Sequence, residues 1–434
     1  MQPLNKVLII AYYWPPSGGS GVQRWLKFVK YLPQLGWEPY VFTPENPSFT
    51  VHDPSLQKDI PQSVEVVKLP IWEPYDLFFS FSKLFGKKQI KQSDFISIGK
   101  KTFFQKVSSF IRGNFFIPDA RIFWISPSVT FLHDFIRSNQ IDKIITTGPP
   151  HSMHLIGLKL KGKNHSLTWV ADFRDPWSEW DLLDTLSLTS FARKRHQSLE
   201  RKVLTKADHI ITIAPFHVKR LEAISNRKVE LITNGFDEDD FSGITHIKTK
   251  KFTLRHIGVV DELRDPRPIM EALKLIYKED SVFRENVMVE FVGNVNSAFK
   301  EYVKEDDTLK AITNFIDQIP HDTLIKLYGE TDLQLLVLAH TTIAPGNLPG
   351  KFFEYLASGN PILAIGSVSG DAAAVLNKSG AGKIFERENQ PEIVEAIREY
   401  FLNWKNGIHK SSESVAIYTR KNLTQQLIRI LASK

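Results

Sequence analysis

Short apolar runs alternate with stretches of three-four helical spacing along most of the chain. In the first half, Val7 to Ala11, Glu38 to Thr43, Val64 to Leu69, Ile141 to Thr147, Thr168 to Phe173, His209 to Ile213 and Val229 to Ile232 read as strands. In the second half the corresponding runs are Phe252 to Ile257, Val287 to Val292, Ile312 to Ile316, Leu333 to Leu338, Pro361 to Ile365 and Lys383 to Phe385. Between the first two strands, Val22, Trp25, Leu26, Val29 and Leu32 fall on one helical face. Further helices are expected over 268–277, 322–328, 351–358 and 391–404. Such alternation is the signature of βαβ units on a parallel sheet. The predicted class is therefore α/β, with two doubly wound domains of similar size facing a central cleft. The polar stretch from Thr233-Asn234-Gly235-Phe236-Asp237 through Lys251 reads as the linker, giving domains 1–240 and 241–410 followed by a terminal segment, 411–434.

One segment breaks the alternation. From Trp72 to Trp124 no strand is expected, and the sets Leu77, Phe78, Phe81, Leu84, Phe85 and Phe103, Phe104, Val107, Phe110, Ile111 each make one apolar helical face. Lysines occupy the remaining faces and the link. The pattern fits a membrane-surface helical pair, with aromatic rings at the acyl boundary and lysines on anionic headgroups. It fits equally an insertion packed on its own domain.

Composition sharpens this picture. The 434 residues carry 55 Lys+Arg against 48 Asp+Glu, but the window from Lys83 to Arg121 holds nine basic residues against Asp94 and Asp119, so the remainder is neutral. The basic excess thus belongs to the aromatic segment and points to an anionic membrane surface. A nucleic-acid partner is disfavoured, because no stacking motif on a recognisable binding fold accompanies the charge. The absence of cysteine excludes disulfides, thiolate metal sites and a cysteine nucleophile. No metal-ligand cluster and no cofactor is expected. No apolar run approaches the roughly 18 to 20 residues that span a bilayer. The opening Lys6-Val7 to Trp14 run has one charge and no cleavage site and leads into a Pro-Gly loop, so it reads as a buried strand rather than a signal peptide. The expected location is the cytoplasm, with the insertion at the inner membrane face.

Candidate chemistry gathers in loops after strands, where open α/β sheets bind ligands. Pro15-Pro16-Ser17-Gly18-Gly19-Ser20-Gly21 leads into the first helix and offers Gly19 and Gly21 to an anion. Arg24 stands where a dinucleotide fingerprint needs its third glycine, which disfavours a nicotinamide enzyme. Two later loops carry His151 and the group Asp172, Arg174, Asp175, candidates for contact with a polyhydroxylated ligand. In the second half, Gly258 opens a loop with Arg264 and Arg267 at a helix entrance, and Gly350-Lys351 starts a helix with Glu354 one turn in. A carboxylate so placed can take both hydroxyls of a ribose while the helix start faces phosphate.

The ordered set Tyr13-Trp14-Pro15-Pro16 with Gly18-Gly19, Asn234-Gly235-Phe236-Asp237, the Gly258 to Arg267 loop and Gly350 to Pro361 resembles the retaining GT-B glycosyltransferases of family 4. The resemblance implies two Rossmann-like domains, an N-terminal acceptor domain and a C-terminal domain binding a UDP- or GDP-sugar, with the last helix, Leu423 to Leu431, packed back on the first. It implies a metal-independent, retaining transfer to a lipid-linked or saccharide acceptor in cell-surface polysaccharide synthesis. Glu354 matches the second Glu of the family's Glu-x7-Glu motif; the first falls at Gly346, a departure that leaves the transferred sugar without its usual contact. Arg264, Arg267 and Lys351 are the matched diphosphate contacts, and His151 matches a histidine near the reacting sugar. Two alternatives stay open: a GT-B nucleotide-sugar epimerase, and a non-catalytic sugar-nucleotide or glycan-binding module.

Overall fold

Seven strands, all parallel, make the first sheet: β1 (Asn5–Ile10), β2 (Trp37–Pro44), β3 (Glu65–Leu69), β4 (Lys143–Gly148), β5 (Thr168–Phe173), β6 (His209–Thr212) and β7 (Glu230–Leu231), in the order β3-β2-β1-β4-β5-β6-β7. Six more make the second: β8 (Phe252–Ile257), β9 (Val287–Val292), β10 (Thr313–Ile316), β11 (Leu333–Val337), β12 (Ile362–Ile365) and β13 (Gly382–Phe385), ordered β10-β9-β8-β11-β12-β13. The computed structural model describes residues 5–49, 51–74, 103–244, 247–408 and 415–433. Both sheets reverse direction of growth once, beside β1 and β4 in the first and beside β8 and β11 in the second. Val7 pairs with Pro39 on one side and Lys143 on the other, while β8 meets β11 through Leu254–Leu333 and Arg255–Gln334. Crevices form at the carboxyl ends of strands at such reversals.

The helices used below are α1 (Ser20–Tyr31), α2 (Phe103–Phe115), α3 (Ile125–Ser138), α4 (Ser152–Lys163), α5 (Ser190–Lys206), α6 (Pro215–Ser225), α7 (Arg267–Glu279), α8 (Ser297–Lys304), α9 (His321–Gly329), α10 (Gly350–Ser358), α11 (Asp371–Ser379), α12 (Gln390–Lys405) and α13 (Arg420–Ala432). The chain divides into two units, residues 1–233 with 423–434, and residues 234–422. The division falls at Thr233/Asn234 rather than at residue 240. The reason lies in the bonds made after it: Asn234 Nδ2 donates to Leu348 O, Phe236 N to Tyr418 O and Arg420 N to Phe236 O. What reads as a linker is thus tied to the second unit from its first residue. Leu423, Leu427 and Leu431 of α13 are buried in the first unit with Val7, Ile9, Trp25, Leu26 and Val29.

In α1 the expected apolar face is buried, but Arg24 and Lys27 are buried with it. Lys27 Nζ meets Asp59 at 2.8 Å. Arg24 forks onto Asp172, with Nε to Oδ2 at 3.2 Å and Nη2 to Oδ1 at 3.1 Å, and its remaining donors reach Thr233 O at 2.8 Å and Ile232 O at 3.0 Å. Asp172 also accepts from Trp25 Nε1 at 2.8 Å and Thr147 Oγ1 at 3.0 Å. Both side chains are fully excluded from solvent. Asp172, expected to touch substrate, is therefore a member of the frame: its oxygens are spent on four donors inside the unit.

The aromatic segment is described only in part. Leu77, Phe78, Phe81, Leu84 and Phe85, with Lys83, Lys87, Lys88, Lys91, Lys100 and Lys101, lie outside the described residues. Of the second expected helix, α2 is present, and it turns Ser109 and Gly113 inward. A Cβ on Gly113 would come within 2.6 Å of Leu188 and 2.8 Å of Leu186, so small residues make the contact. Of the expected apolar face, Val107, Phe110 and Ile111 are each at least 40% exposed, and the neighbouring Phe115 is 71% exposed; the side chains of Phe103 and Phe104 lie outside the described residues. Arg121 is not part of the basic surface. Its Nε meets Glu73 Oε1 at 3.0 Å and its Nη2 donates to Tyr12 OH at 3.0 Å, both inside the unit.

Removing one partner of a buried ion pair strands the other charge, at a cost of about 3–5 kcal/mol. Arg24→Met is expected to destabilise the first unit by that amount in urea unfolding. A loss below about 1 kcal/mol, typical of an unimportant surface change, would show that Arg24 does not hold this frame.

Candidate active site

At the β1/β4 reversal the loop after β4 brings two imidazoles to Gly148. A Cβ on Gly148 would lie 2.6 Å from His154 Nε2 and 2.8 Å from His151 Nδ1. His151 stacks on the Trp177 indole, centroids 4.8 Å apart and planes within 4°, and His154 stacks on Phe173 at 4.4 Å. His154 Nδ1 is 2.8 Å from Thr146 Oγ1, itself an acceptor for Trp169 Nε1 at 2.9 Å. Both ring nitrogens of His151 and the Nε2 of His154 have no protein partner. Burial, reinforced by the charge of Arg174, holds His151 well below the usual imidazole range. Burial also takes His154 down to about 3. These rings are neutral, so they act as hydrogen-bonding groups and not as cations.

Arg174 does not reach outward. Its N and Nε donate to Gly148 O at 3.1 and 3.2 Å and its Nη2 to Pro149 O, so the guanidinium clamps the histidine loop. A Cβ on Gly21 would lie 2.3 Å from Arg174 Nη1. A side chain at Gly21 would therefore have to displace the Arg174 guanidinium. Gly19 holds φ +98° at the start of α1, a left-handed backbone that favours glycine. Ser17 N bonds to Trp14 O and Gly18 N to Val51 O, so part of the loop's anion-binding capacity is already used. Asp175 is half-buried beside Arg174.

His196 and Glu200, which are not among the expected site residues, complete this group. Both lie on α5, and Glu200 accepts from Trp177 N at 3.1 Å, from Ser178 N at 3.2 Å and from Ser178 Oγ. Trp177 Nε1 is 3.0 Å from His196 Nδ1. Together they fix the ring on which His151 stacks. The signal was present: Ala192, His196, Glu200 and Val203 share one helical face and all are buried.

In the second unit, Gly258 follows β8 and Gly293 follows β9, both at φ +120°, and a Cβ on Gly293 would lie 2.8 Å from Gly258 O. A side chain on Gly293 would strike the Gly258 backbone, and the positive φ at both positions favours glycine. Lys351, second residue of α10, places Nζ 3.1 Å from His256 Nε2. The same amine would be 3.3 Å from a Cβ on Gly258. Burial, and then the charge of Arg264, take this lysine down to about 7, with Asp261 opposing. Gly350 begins α10 behind Pro349 and is buried. Gly258, Gly350, Lys351 and Arg264 are therefore brought to one place.

Arg267 is not. Its guanidinium lies over the Tyr302 ring at 5.2 Å and meets Asp265 at 3.6 Å, because the first turn of α7 projects it toward α8. Arg264 is ion-paired with Asp261 at 2.6 Å. Glu354 is buried, and its oxygens meet His321 Nε2 at 3.1 Å and Tyr328 OH at 2.7 Å. Burial raises its carboxyl, and the bonds from His321 and Tyr328 more than offset this, leaving it below its usual range. Each oxygen keeps acceptor capacity for a further hydroxyl. Gly346 ends a short turn, Ala344–Gly346, and is buried. A separate cavity lined by Lys248, Asp332, Tyr400 and Trp404 opens at the amino ends of β11 to β13 and holds none of the expected site residues.

No sequence-family profile and no curated protein matches the chain. Solved structures match it in fold. A glycosyltransferase from Rickettsia africae ESF-5 aligns with TM-score 0.62 and 12% identity over 100% of both chains. WaaG, a glycosyltransferase involved in lipopolysaccharide biosynthesis, aligns with TM-score 0.57 and 14% identity over 99% of this chain and 100% of its own. A Listeria monocytogenes protein described as a candidate UDP-N-acetylglucosamine 2-epimerase aligns with TM-score 0.56 and 10% identity over 98% and 95%. The fold is that of the GT-B glycosyltransferases, two Rossmann-like parallel sheets with interspersed helices.

The first unit's site has a consequence for stability. His151, His154, His196 and His217 are all buried with their imidazoles depressed by burial, His217 to about 4. Below about pH 6.5 the unfolded chain binds protons that the native state refuses. Stability is thus full above that pH and falls as acid is added, by up to about 1.4 kcal/mol per pH unit for each histidine. Denaturant midpoints between pH 7 and 5 are expected to drop steeply, and His154→Leu to flatten the slope by one proton. Parallel slopes for the two proteins would remove His154 from this account.

Proposed function

We propose that the protein is a retaining glycosyltransferase that moves a sugar from a UDP- or GDP-sugar to a lipid-linked or saccharide acceptor in cell-surface polysaccharide synthesis. The observation that carries the reading is the convergence of Lys351, Arg264 and the α10 N-terminus on the Gly258 turn, with the Glu354 carboxylate one turn further along α10. Breaking a nucleotide–sugar bond builds negative charge on the leaving diphosphate. Preorganised cations and helix N–H groups stabilise it in place. Glu354, oriented by His321 and Tyr328, takes the ribose hydroxyls. In the first unit, the neutral His151 offers ring nitrogens to a sugar hydroxyl, on a loop held by Arg174 and a ring held by Glu200. The glycosyltransferases among the fold neighbours, including one involved in lipopolysaccharide biosynthesis, support this class. The epimerase neighbour supports a second reading, in which donor alone is converted without acceptor.

The exposed apolar face of α2 supports placing this chemistry at a membrane surface. An insertion packed on its own domain buries its aromatic face; here Val107, Phe110, Ile111 and Phe115 face outward beside the exposed Lys106. Trp72 and Phe123, each half exposed, stack edge to face at 5.0 Å. No described helix is long and apolar enough to cross a membrane.

A panel of UDP- and GDP-sugars is expected to raise the thermal midpoint, and one of them to donate to a membrane lipid extract with retention. Glu354→Gln is expected to weaken UDP or GDP binding about tenfold or more, the loss of one charge-assisted bond; unchanged binding would remove Glu354 from the ribose. Conversion of donor without acceptor selects the epimerase, and binding without turnover under any acceptor selects a binding module.

Phe110→Ser combined with Phe115→Ser and Phe123→Ser is expected to release the protein from vesicles containing anionic phospholipid. Failure of the unaltered protein to sediment with such vesicles would end the membrane reading.

A further inference from the structure

The lysine at the start of α10 is held in an unusual way. Among the described residues, Lys351 has one hydrogen-bond partner, the Nε2 of His256, and no carboxylate within ion-pair reach. His256 is fully buried, and its Nδ1 lies 2.9 Å from Leu335 O. A carbonyl can only accept, so Nδ1 carries the ring proton. Burial, and the charge of Lys351 after it, keep this imidazole neutral, which makes Nε2 the acceptor and the lysine the donor.

The surrounding charged groups are bonded to other partners, and of these Arg264 and Asp261 act on the amine at longer range with opposite sign. On the loop after β8, Asp261 and Arg264 bind each other. At the entrance to α7, Arg267 is paired with Asp265. On α10 itself, Glu354 is taken by His321 and Tyr328, and Tyr355 OH accepts from Ile257 N at 2.8 Å. The turns of Gly258 and Gly293 bring backbone, not charge. Lys351 is therefore a half-buried amine beside a glycine turn, with a neutral ring as its bonded partner among the described residues and no carboxylate in ion-pair contact; Asp261 acts on it only at longer range.

We propose that His256 is a positioning residue that keeps Lys351 as a proton-uptake site, so that entry of a nucleoside diphosphate at the Gly258 turn draws one proton from solvent onto the Lys351 amine. This rests on reading the Gly258 turn as the diphosphate site. An amine that titrates near neutrality when the site is empty is held protonated once a diphosphate lies beside it. Affinity is then full below about pH 7 and falls about tenfold per pH unit above it. The nitrogen gains the N–H bond, solvent loses the proton, and no bond of the nucleotide changes.

The experiment is calorimetric titration with UDP and GDP at pH 8 and 9, in buffers of different ionisation heat. At these values the terminal phosphate is fully ionised, given a second pKa of about 6. About one proton taken up at pH 8, with the dissociation constant rising about tenfold from pH 8 to 9, is the expected result. Lys351→Arg, permanently charged, should bind with no uptake and a flat profile. His256→Phe, which removes the acceptor nitrogen at similar volume, should move the break in the profile to lower pH, a change that a merely structural ring would not cause. Binding of UDP or GDP without uptake overturns the inference and leaves the transferase reading intact. Binding of neither nucleotide overturns both. Acetylation of Lys351 by acetic anhydride, followed by mass spectrometry, gives a check without nucleotide: a midpoint near pH 7 supports the site, and one near the ordinary lysine value of about 10 overturns it.

Discussion

The Arg24–Asp172 pair is the constraint on which the first unit depends. Two charges fully removed from water are tolerable only if every donor and acceptor is met, and here α1, β4, β5 and the chain exit at Ile232 and Thr233 all contribute to meeting them. One guanidinium thereby fixes how the first helix lies on the sheet. A glycine at position 24 would allow closer helix–strand approach and a dinucleotide site. The arginine instead exchanges that approach for a rigid polar joint directly beneath the loops that follow β4 and β5.

Above that joint the unit spends more polar groups on positioning than on exposure. Arg174 clamps the carbonyls of Gly148 and Pro149, and Glu200 collects the N–H groups of Trp177 and Ser178. Asp119 binds Ser152 through both N and Oγ. The outcome is a pair of neutral imidazoles held on aromatic faces, with ring nitrogens left over. The second unit uses the opposite electrostatics: a lysine with no ion-pair partner among the described residues, beside a glycine turn. Neutral hydrogen-bonding groups suit hydroxyls, and an amine without an ion-pair partner suits phosphate, so the two reversals in strand order differ in the ligand groups they are equipped to meet.

The aromatic segment shows how far amphipathic spacing reaches. The spacing of Val107, Phe110 and Ile111 identified one face of a helix, but not its direction. Ser109 and Gly113 settled that, because small residues let α2 lie close on Leu186 and Leu188. The charge count for the same segment included Arg121, which the fold withdraws to serve Glu73 and Tyr12. A charge in a basic window is a surface charge only if nothing inside is waiting for it.

Strand–helix alternation by itself determined two parallel sheets, since β-branched runs and three-four spacing are local signals that tertiary context rarely reverses; β5, β8 and β9 fall where the residues place them. The glycines after strands and the Lys351–Glu354 spacing were also legible, because turn and helix geometry act over a few residues. Other assignments belonged to the tertiary structure alone. Asp172 and Asp175 are alike in sequence, yet one is sealed by Arg24 and the other half-exposed. Arg264 and Arg267 are three residues apart, yet the first is bonded to Asp261 and acts on Lys351 through its charge, while the second lies over Tyr302. His256, unremarkable on a strand, became a partner of Lys351 only when β8 and α10 met. Each depends on groups brought together from distant parts of the chain, and the energy of a buried charge or imidazole is set by those neighbours rather than by the residue itself.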